Sequence, residues 1–280
     1  MRHLCLTATL ACLIVGPQTP AQQAGGRATQ SLTADEIARR AQDRDTGRDS
    51  RAEMRMKLFD RHGRVRERAM TLVMLRGRDN PGAARTAPDG DRLLIRFTYP
   101  NDIRGTGFLV WEHPKSEDER FLFLPSLGRV RRIAGSEAQE SFVGSDFTYE
   151  DIGGREFDDY SYALEADNAS WSGADGVARP AWRLASTRKD AKAEFPRVVS
   201  LVLKDSYLVV EADIYNRRKE KQKLYRVRRI DQVQGIWTVL DSSMSNDLDH
   251  TRTDLGVEKM TYNVGLGEAA FSRRELESGK

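Results

Sequence analysis

The chain reads as a mainly β protein built as one antiparallel meander. From residue 51 onward apolar and polar residues alternate, with Met54, Met56 and Leu58 set against Arg55 and Lys57. The alternating runs are short and are punctuated by turn residues such as Arg61-His62-Gly63 and Pro100-Asn101-Asp102. Helical signals are sparse, with a single clear helix start before residue 51. Alternation of period two between short turns means hairpins with one dry face and one wet face. About eleven strands are expected, at the spacing of a sandwich or a barrel.

The N-terminus carries an export signal. Arg2 and His3 form a short polar region, Leu4 to Val15 are apolar, and Gly16-Pro17 breaks the run. Thr19 and Ala21 place small residues for cleavage after Ala21, with Ala24 as the alternative. This pattern is that of a secretory signal peptide and is too short for a membrane anchor. The expected organisation is a signal peptide over 1–21, a flexible lead over 22–31 and a single domain over 32–280. Both cysteines, Cys5 and Cys12, fall inside the signal. The mature chain therefore lacks a thiol, which excludes a disulfide scaffold, a cysteine zinc site and a thiol nucleophile. Thr9 stands where a lipoprotein signal prefers leucine, which argues against lipid modification at Cys12. No other apolar segment approaches ~18 residues, so a soluble, Sec-exported periplasmic protein is expected.

The helix start is at Thr33, with Glu36 three residues on as a capping box and Leu32 and Ile37 as a hydrophobic staple. The helix is short, carries one stripe of Ile37, Ala38 and Ala41, and is expected to stop near Gly47. Strands follow at Val65 to Arg76, at Leu93 to Tyr99 and at Thr106 to Glu112, and the apolar run Phe121 to Leu124 pairs with Arg129 to Ile133. The stretch GSDFTYEDIGG keeps neither period and is not a plain strand or helix. Beyond it alternation resumes at Tyr160 to Ala166, is most regular at Leu208, Val210, Ala212 and Ile214, and closes with Thr253 to Tyr262. The tail from Gly267 to Ser278 has room for one short helix containing Phe271 and Leu276.

The catalytic inventory is thin. His62, His113 and His250 are far apart and lack metal-ligand spacing. There is no GxSxG elbow and no GxxxxGK[ST] loop, and Gly105-Thr106-Gly107 alone is too little for a nucleotide site. The acids Asp146, Glu150, Asp151, Asp158 and Asp159 are read as turn-bonding groups or as partners of Arg131, Arg132 and Arg155. No catalytic residue, metal or cofactor is assigned, and the protein is not read as an enzyme. The balance of Lys+Arg 45 against Asp+Glu 42 argues against a nucleic-acid partner. Arg217, Arg218 and Lys219 form a charged hairpin tip that could dock on an acidic partner surface. What stands out is an apolar face rich in methionine, a side chain suited to varied apolar shapes. With so little helix to cover it, the sheet either folds on itself or leaves an apolar cavity.

The segments LTADEIARRAQDRD, RFTYPNDIRGTGFLVWE, FLFLPSLGRVRRIAGSEAQESFVGSDFTYEDIGGREFDDYSY, VQGIWTVLDSSMSND and EKMTYNVGLGEAAFS carry a family likeness. Over nearly all of the mature chain the sequence resembles the LolA-like periplasmic outer-membrane lipoprotein-sorting proteins. The resemblance implies a half-open antiparallel β-barrel with a short helical lid, as in LolA and LolB. It implies a monomeric, chaperone-like carrier of a lipid or of lipoprotein acyl chains. It further implies an inner-membrane RND/MMPL-type transporter as donor and an outer-membrane acceptor. The same architecture serves RseB-like sensors, so a regulatory module that senses lipid or lipoprotein is the alternative. From the phase of the alternation, the expected cavity lining is Met54, Met56, Leu58, Leu93, Ile95, Phe97, Phe108, Val110, Phe121 and Phe123. The lid and rim residues expected are Ile37, Phe142, Phe147 and Tyr149.

Overall fold

The computed structural model describes residues 31–77, 88–114 and 116–278. The expected signal peptide and residues 22–30 of the lead lie outside the described residues.

The first helix, α1 (Ala34–Gln42), starts as its capping box requires: the Glu36 amide donates to Thr33 Oγ1 at 3.3 Å, and the Thr33 amide donates to Glu36 at 2.8 Å. It ends at Gln42 rather than near Gly47. Asp43 caps it, and the Gly47 amide then donates to Asp45 at 2.8 Å in a side-chain-closed turn with Gly47 at φ +72°.

Among the described residues thirteen strands follow, rather than about eleven. They are β1 (Asp49–Phe59), β2 (Val65–Leu75), β3 (Arg92–Tyr99), β4 (Gly107–Trp111), β5 (Glu119–Leu124), β6 (Arg129–Ile133) and β7 (Tyr160–Ser172). They continue with β8 (Ala178–Arg188), β9 (Arg197–Leu203), β10 (Val209–Tyr215), β11 (Lys221–Val233), β12 (Ile236–Asn246) and β13 (Thr251–Tyr262). The short strands β4 and β6 fall within the expected runs Thr106 to Glu112 and Arg129 to Ile133, and their ladders are held by neighbours on the same sheet.

All thirteen join one antiparallel sheet in the order β6-β5-β4-β3-β2-β1-β13-β12-β11-β10-β9-β8-β7. Two meanders are thus joined at the centre by the first and last strands, from Ser50↔Tyr262 to Phe59↔Arg252. The turns are set locally: the Asp60 carboxylate accepts from the His62 and Arg64 amides at 2.8 and 3.0 Å, closing the β1–β2 hairpin over Gly63 at φ +76°. Strands β6 and β7 are free edges, so the barrel does not close. Each edge is blunted in a known way. Strand β6 is short and carries Arg129, Arg131 and Arg132, and the β7 ladder is interrupted by two register shifts.

The sheet curls, because apolar residues of β1–β5 meet those of β9–β13 in one cluster. Residues 134–159, between the two edge strands, lie on this inner face. They include α2 (Tyr149–Gly153), which opens with its own capping box between Thr148 and Asp151. The other face of β2–β6 is also covered. A 3₁₀ turn at Glu268–Phe271 and α3 (Arg273–Glu277) bury Phe271 and Leu276 against Leu94, Leu109 and Phe121. Trp111 Nε1 donates to the Phe271 carbonyl at 2.7 Å, which fixes the tail in place.

Candidate lipid-binding site

A cavity of ≈ 470 Å³ opens between the inner face of the sheet and the two helices. From one half of the sheet Met54, Met70, Leu72 and Ile95 line it. The other half supplies Leu184, Val202, Val209, Ala212, Ile214, Met244 and Leu255. Ala38, Ala41 and Gln42 of α1 contact it on one side, and residues 150–155 with Phe147 on the other. Helix α1 is held there by Ile37, fully buried among Trp182, Leu184 and Val202.

The cavity is apolar along most of its wall but not throughout. Glu150, Asp151 and Arg155 form one end. Arg155 donates to Asp151 at 2.6 Å. Burial opposes both charges, yet Arg155 and the Thr148 amide hold the Asp151 carboxyl below its ordinary value, and Asp151 holds Arg155 above its own. Arg188 Nη1 donates to both Glu150 oxygens, at 2.6 and 2.7 Å. Tyr225 faces the same space with its phenol pushed up by burial. The charged groups are paired with one another, leaving a mainly apolar chamber with a neutralised end and the hydroxyls of Ser186, Ser200 and Ser242 on one wall.

Of the expected lining residues, Met54 and Ile95 reach the cavity. Met56, Leu58, Leu93, Phe97, Phe108 and Val110 lie on the same face but are covered. Over Phe108 the cover is Phe142 and Tyr149, whose rings pack 5.3 and 5.4 Å from it and 5.7 Å from each other, and Phe142 also lies 6.0 Å from the Phe97 ring. Phe147 sits at the boundary, on the cavity wall and 6.3 Å from the Tyr225 ring. The inner face of β3–β5 is therefore plugged by aromatics, and the open volume lies nearer the centre of the sheet.

Phe121 and Phe123 belong to the opposite face, a correction to the expectation. The pairing Phe108↔Leu122 puts Leu122 on the inner face and turns Phe121 and Phe123 outward to the C-terminal segment. A run apolar at every position gives alternation no phase to read. Tyr99, expected from the alternation of β3 to share a face with Leu93, Ile95 and Phe97, is half exposed, and a register shift between Ala69 and Met70 separates it from Phe97.

Sequence reasoning missed the whole contribution of β8–β12. A register shift between Val209 and Glu211 breaks the even alternation of β10. Ala212 and Ile214 line the cavity, whereas Leu208 and Val210 pack in a separate cluster. The α2 roof was legible in part, since Thr148-x-x-Asp151 is a capping-box spacing. At the β10–β11 tip, Arg217 is paired with Glu194 and Arg218 with Glu220, both at 2.9 Å. Lys219 has no carboxylate within salt-bridge distance among the described residues. That tip is thus two-thirds neutralised, a weaker docking patch than its sequence suggests.

Among the described residues no group of His, Cys, Asp and Glu is placed to hold a metal, and no helix is long and apolar enough to cross a membrane.

An open antiparallel sheet curled around an apolar chamber and roofed by short helices is the LolA-like architecture. A LolA superfamily protein from Nitrosomonas europaea has this fold at a TM-score of 0.63 and 16% identity, with 88% of this chain and 100% of that one aligned. A protein from Vibrio parahaemolyticus described as an outer membrane lipoprotein-sorting protein domain is similar at a TM-score of 0.75 and 27% identity, over 87% of this chain and 98% of that one. A DUF1329 family protein from Desulfovibrio piger is similar at a TM-score of 0.75 and 30% identity, over 87% of this chain and 97% of that one. A family model described as an uncharacterized protein matches residues 89–278. The chain belongs to the DUF1329 family, and its fold is LolA-like. No curated protein matches it.

Proposed function

We propose that this protein is a periplasmic carrier that holds a lipid, or the acyl chains of a lipoprotein, in the central cavity during transit toward the outer membrane. The observation that carries this reading is the ≈ 470 Å³ chamber with aliphatic walls drawn from both halves of the sheet. Its size falls within the roughly 300–1,000 Å³ of ordinary small-molecule sites. Each CH₂ moved from water into such a chamber is favourable by ~0.8 kcal/mol. Met54, Met70 and Met244 on the wall suit it to chains of differing shape. Residues 142–155 and α1 act as the lid, with Ile37, Phe142, Phe147 and Tyr149 as its apolar anchors. The chemistry is binding and release rather than catalysis, because the ionisable groups at the chamber end are committed to one another. In this reading the donor is an inner-membrane transporter of the RND/MMPL type and the acceptor lies in the outer membrane.

The test is native mass spectrometry of the mature protein purified from its own periplasm. The expected result is a mass increment of one acylated molecule that exchanges into acceptor vesicles. A protein that is lipid-free and takes up no lipid from vesicles would overturn the carrier reading. Retention on a protein partner without lipid exchange would favour a sensor instead.

A further inference from the structure

Among the described residues, seven large apolar side chains stand substantially exposed: Val65, Tyr99, Leu127, Leu164, Val177, Leu248 and Val264. Single exposed apolar residues are ordinary. Three of these, however, occupy neighbouring positions. Val65 is on the β1–β2 hairpin, Tyr99 enters the β3–β4 turn and Leu127 is at the β5–β6 tip, with exposures of 47%, 52% and 56%. In the sheet order β6-β5-β4-β3-β2-β1 these are consecutive hairpins, and antiparallel pairing puts all three tips at the same end of the sheet.

Positive charge predominates at these tips. Residues 60–66, 99–106 and 125–129 hold five arginines, Arg61, Arg64, Arg66, Arg104 and Arg129, against Asp60 and Asp102. Arg64 pairs with Asp60 at 2.6 Å, and Arg61 Nε lies 3.2 Å from the His62 ring. Arg66, Arg104 and Arg129 are exposed, and among the described residues none has a carboxylate within salt-bridge distance. The patch has a boundary: the next tip along, between β12 and β13, also exposes Leu248 but flanks it with Asp247 and Asp249.

We propose that this corner of the sheet docks on an anionic phospholipid surface, with Val65, Tyr99 and Leu127 entering the headgroup layer and Arg66, Arg104 and Arg129 meeting lipid phosphates. Tyrosine and aliphatic residues at hairpin tips suit the boundary between headgroups and acyl chains. Basic residues near an anionic leaflet strengthen binding severalfold each, and salt weakens it within a Debye length. Docking of this kind is separate from what fills the cavity. It would bring a carrier to the membrane where cargo is exchanged.

The test is co-sedimentation of the purified protein with large vesicles of phosphatidylethanolamine and phosphatidylglycerol, beside vesicles of phosphatidylcholine alone. Binding to the anionic vesicles that fades at high salt is expected. The Arg66→Gln/Arg104→Gln/Arg129→Gln variant should bind them roughly a hundredfold more weakly, at about fivefold per charge. Tyr99→Asp/Leu127→Asp should abolish binding, and Val177→Asp, at an exposed site elsewhere, should not change it. Uptake of cis-parinaric acid from solution should be the same in all of these variants, which also shows that they are folded. The proposal is overturned if the protein ignores phosphatidylglycerol vesicles, if it binds phosphatidylcholine equally well, or if Val177→Asp weakens binding as much as the tip variants. Loss of cis-parinaric acid uptake in the parent protein with vesicle binding intact would instead count against the cavity reading alone.

Discussion

Arg188 on β8 and Glu150 on α2 form a buried ion pair that ties the lid segment to the strand beside the free edge β7. Arg188 Nη1 also donates to Tyr160 Oη at 3.0 Å, and its Nη2 to Asp159 at 2.9 Å. The Glu150 side chain is 5% exposed and that of Arg188 13%. Burial works against the Arg188 charge, but Glu150 and its neighbours more than offset this and raise its basicity. Removing one member strands the other charge in a low-dielectric setting. Glu150→Ala should cost about 3–5 kcal/mol, read from urea midpoints. Amide exchange over residues 134–159 should accelerate selectively. An unchanged midpoint and exchange pattern would show that the pair does not hold the lid.

Filling the chamber should separate binding from stability. Ala212 lines the cavity, so its replacement by phenylalanine projects a ring into open volume. Ala212→Phe is expected to cost no more than the ~1–3 kcal/mol of a small-to-large change, because the ring enters open volume. Affinity for cis-parinaric acid should drop by about tenfold or more, a loss of ~1.4 kcal/mol. Retained affinity would place the acyl chain elsewhere.

The assignment of faces predicts a contrast. Leu276 is fully buried on the outer face with Phe121, away from the cavity. Leu276→Ala should cost about 2–5 kcal/mol in thermal or urea unfolding. It should leave probe affinity intact. A parallel loss of probe binding at full folding would mean that the two faces communicate.

Glu156, just after α2 and beside Asp118 of the β4–β5 loop, contributes a pH dependence. Burial, reinforced by the neighbouring Asp118 carboxyl, pushes Glu156 up to about 7 from an ordinary 4.5. Burial raises Asp118 as well, although Arg120 donates to it at 2.9 Å. A carboxyl whose pKa is higher folded than unfolded binds its proton more tightly in the native state. Its stabilising effect is complete below the unfolded value and is lost as pH rises through the folded one. Thermal midpoints should therefore fall between about pH 4.5 and 7 through this group. Glu156→Gln should flatten that slope; an equal slope in the variant would assign the dependence to other carboxyls.

How much could be read before the structure depended on which force set each element. The α1 start was legible because Leu32, Thr33, Glu36 and Ile37 all fall within six consecutive positions. The dry face of β1–β4 was legible because Met54, Met56, Ile95 and Phe108 alternate with residues of the other face. Phe121 and Phe123 were not, because the tail buries the face they occupy as well, which erases the contrast that alternation needs. Nor was the β10 part of the far wall, since the register shift between Val209 and Glu211 swaps the face of the β10 residues beyond it.

By itself, then, the sequence determined local periods: where strands run, where they turn, how α1 begins and that the whole is a meander. Those are set by side-chain alternation and by turn residues, which act within a few positions. The tertiary structure decided which half of the inner face stays open. That choice belongs to Phe142 and Tyr149 filling the space over Phe108, and to Glu150 reaching Arg188 across 38 positions of chain. Packing and ion pairing at such separations have no local signature, and together they leave the chamber at the centre of the sheet.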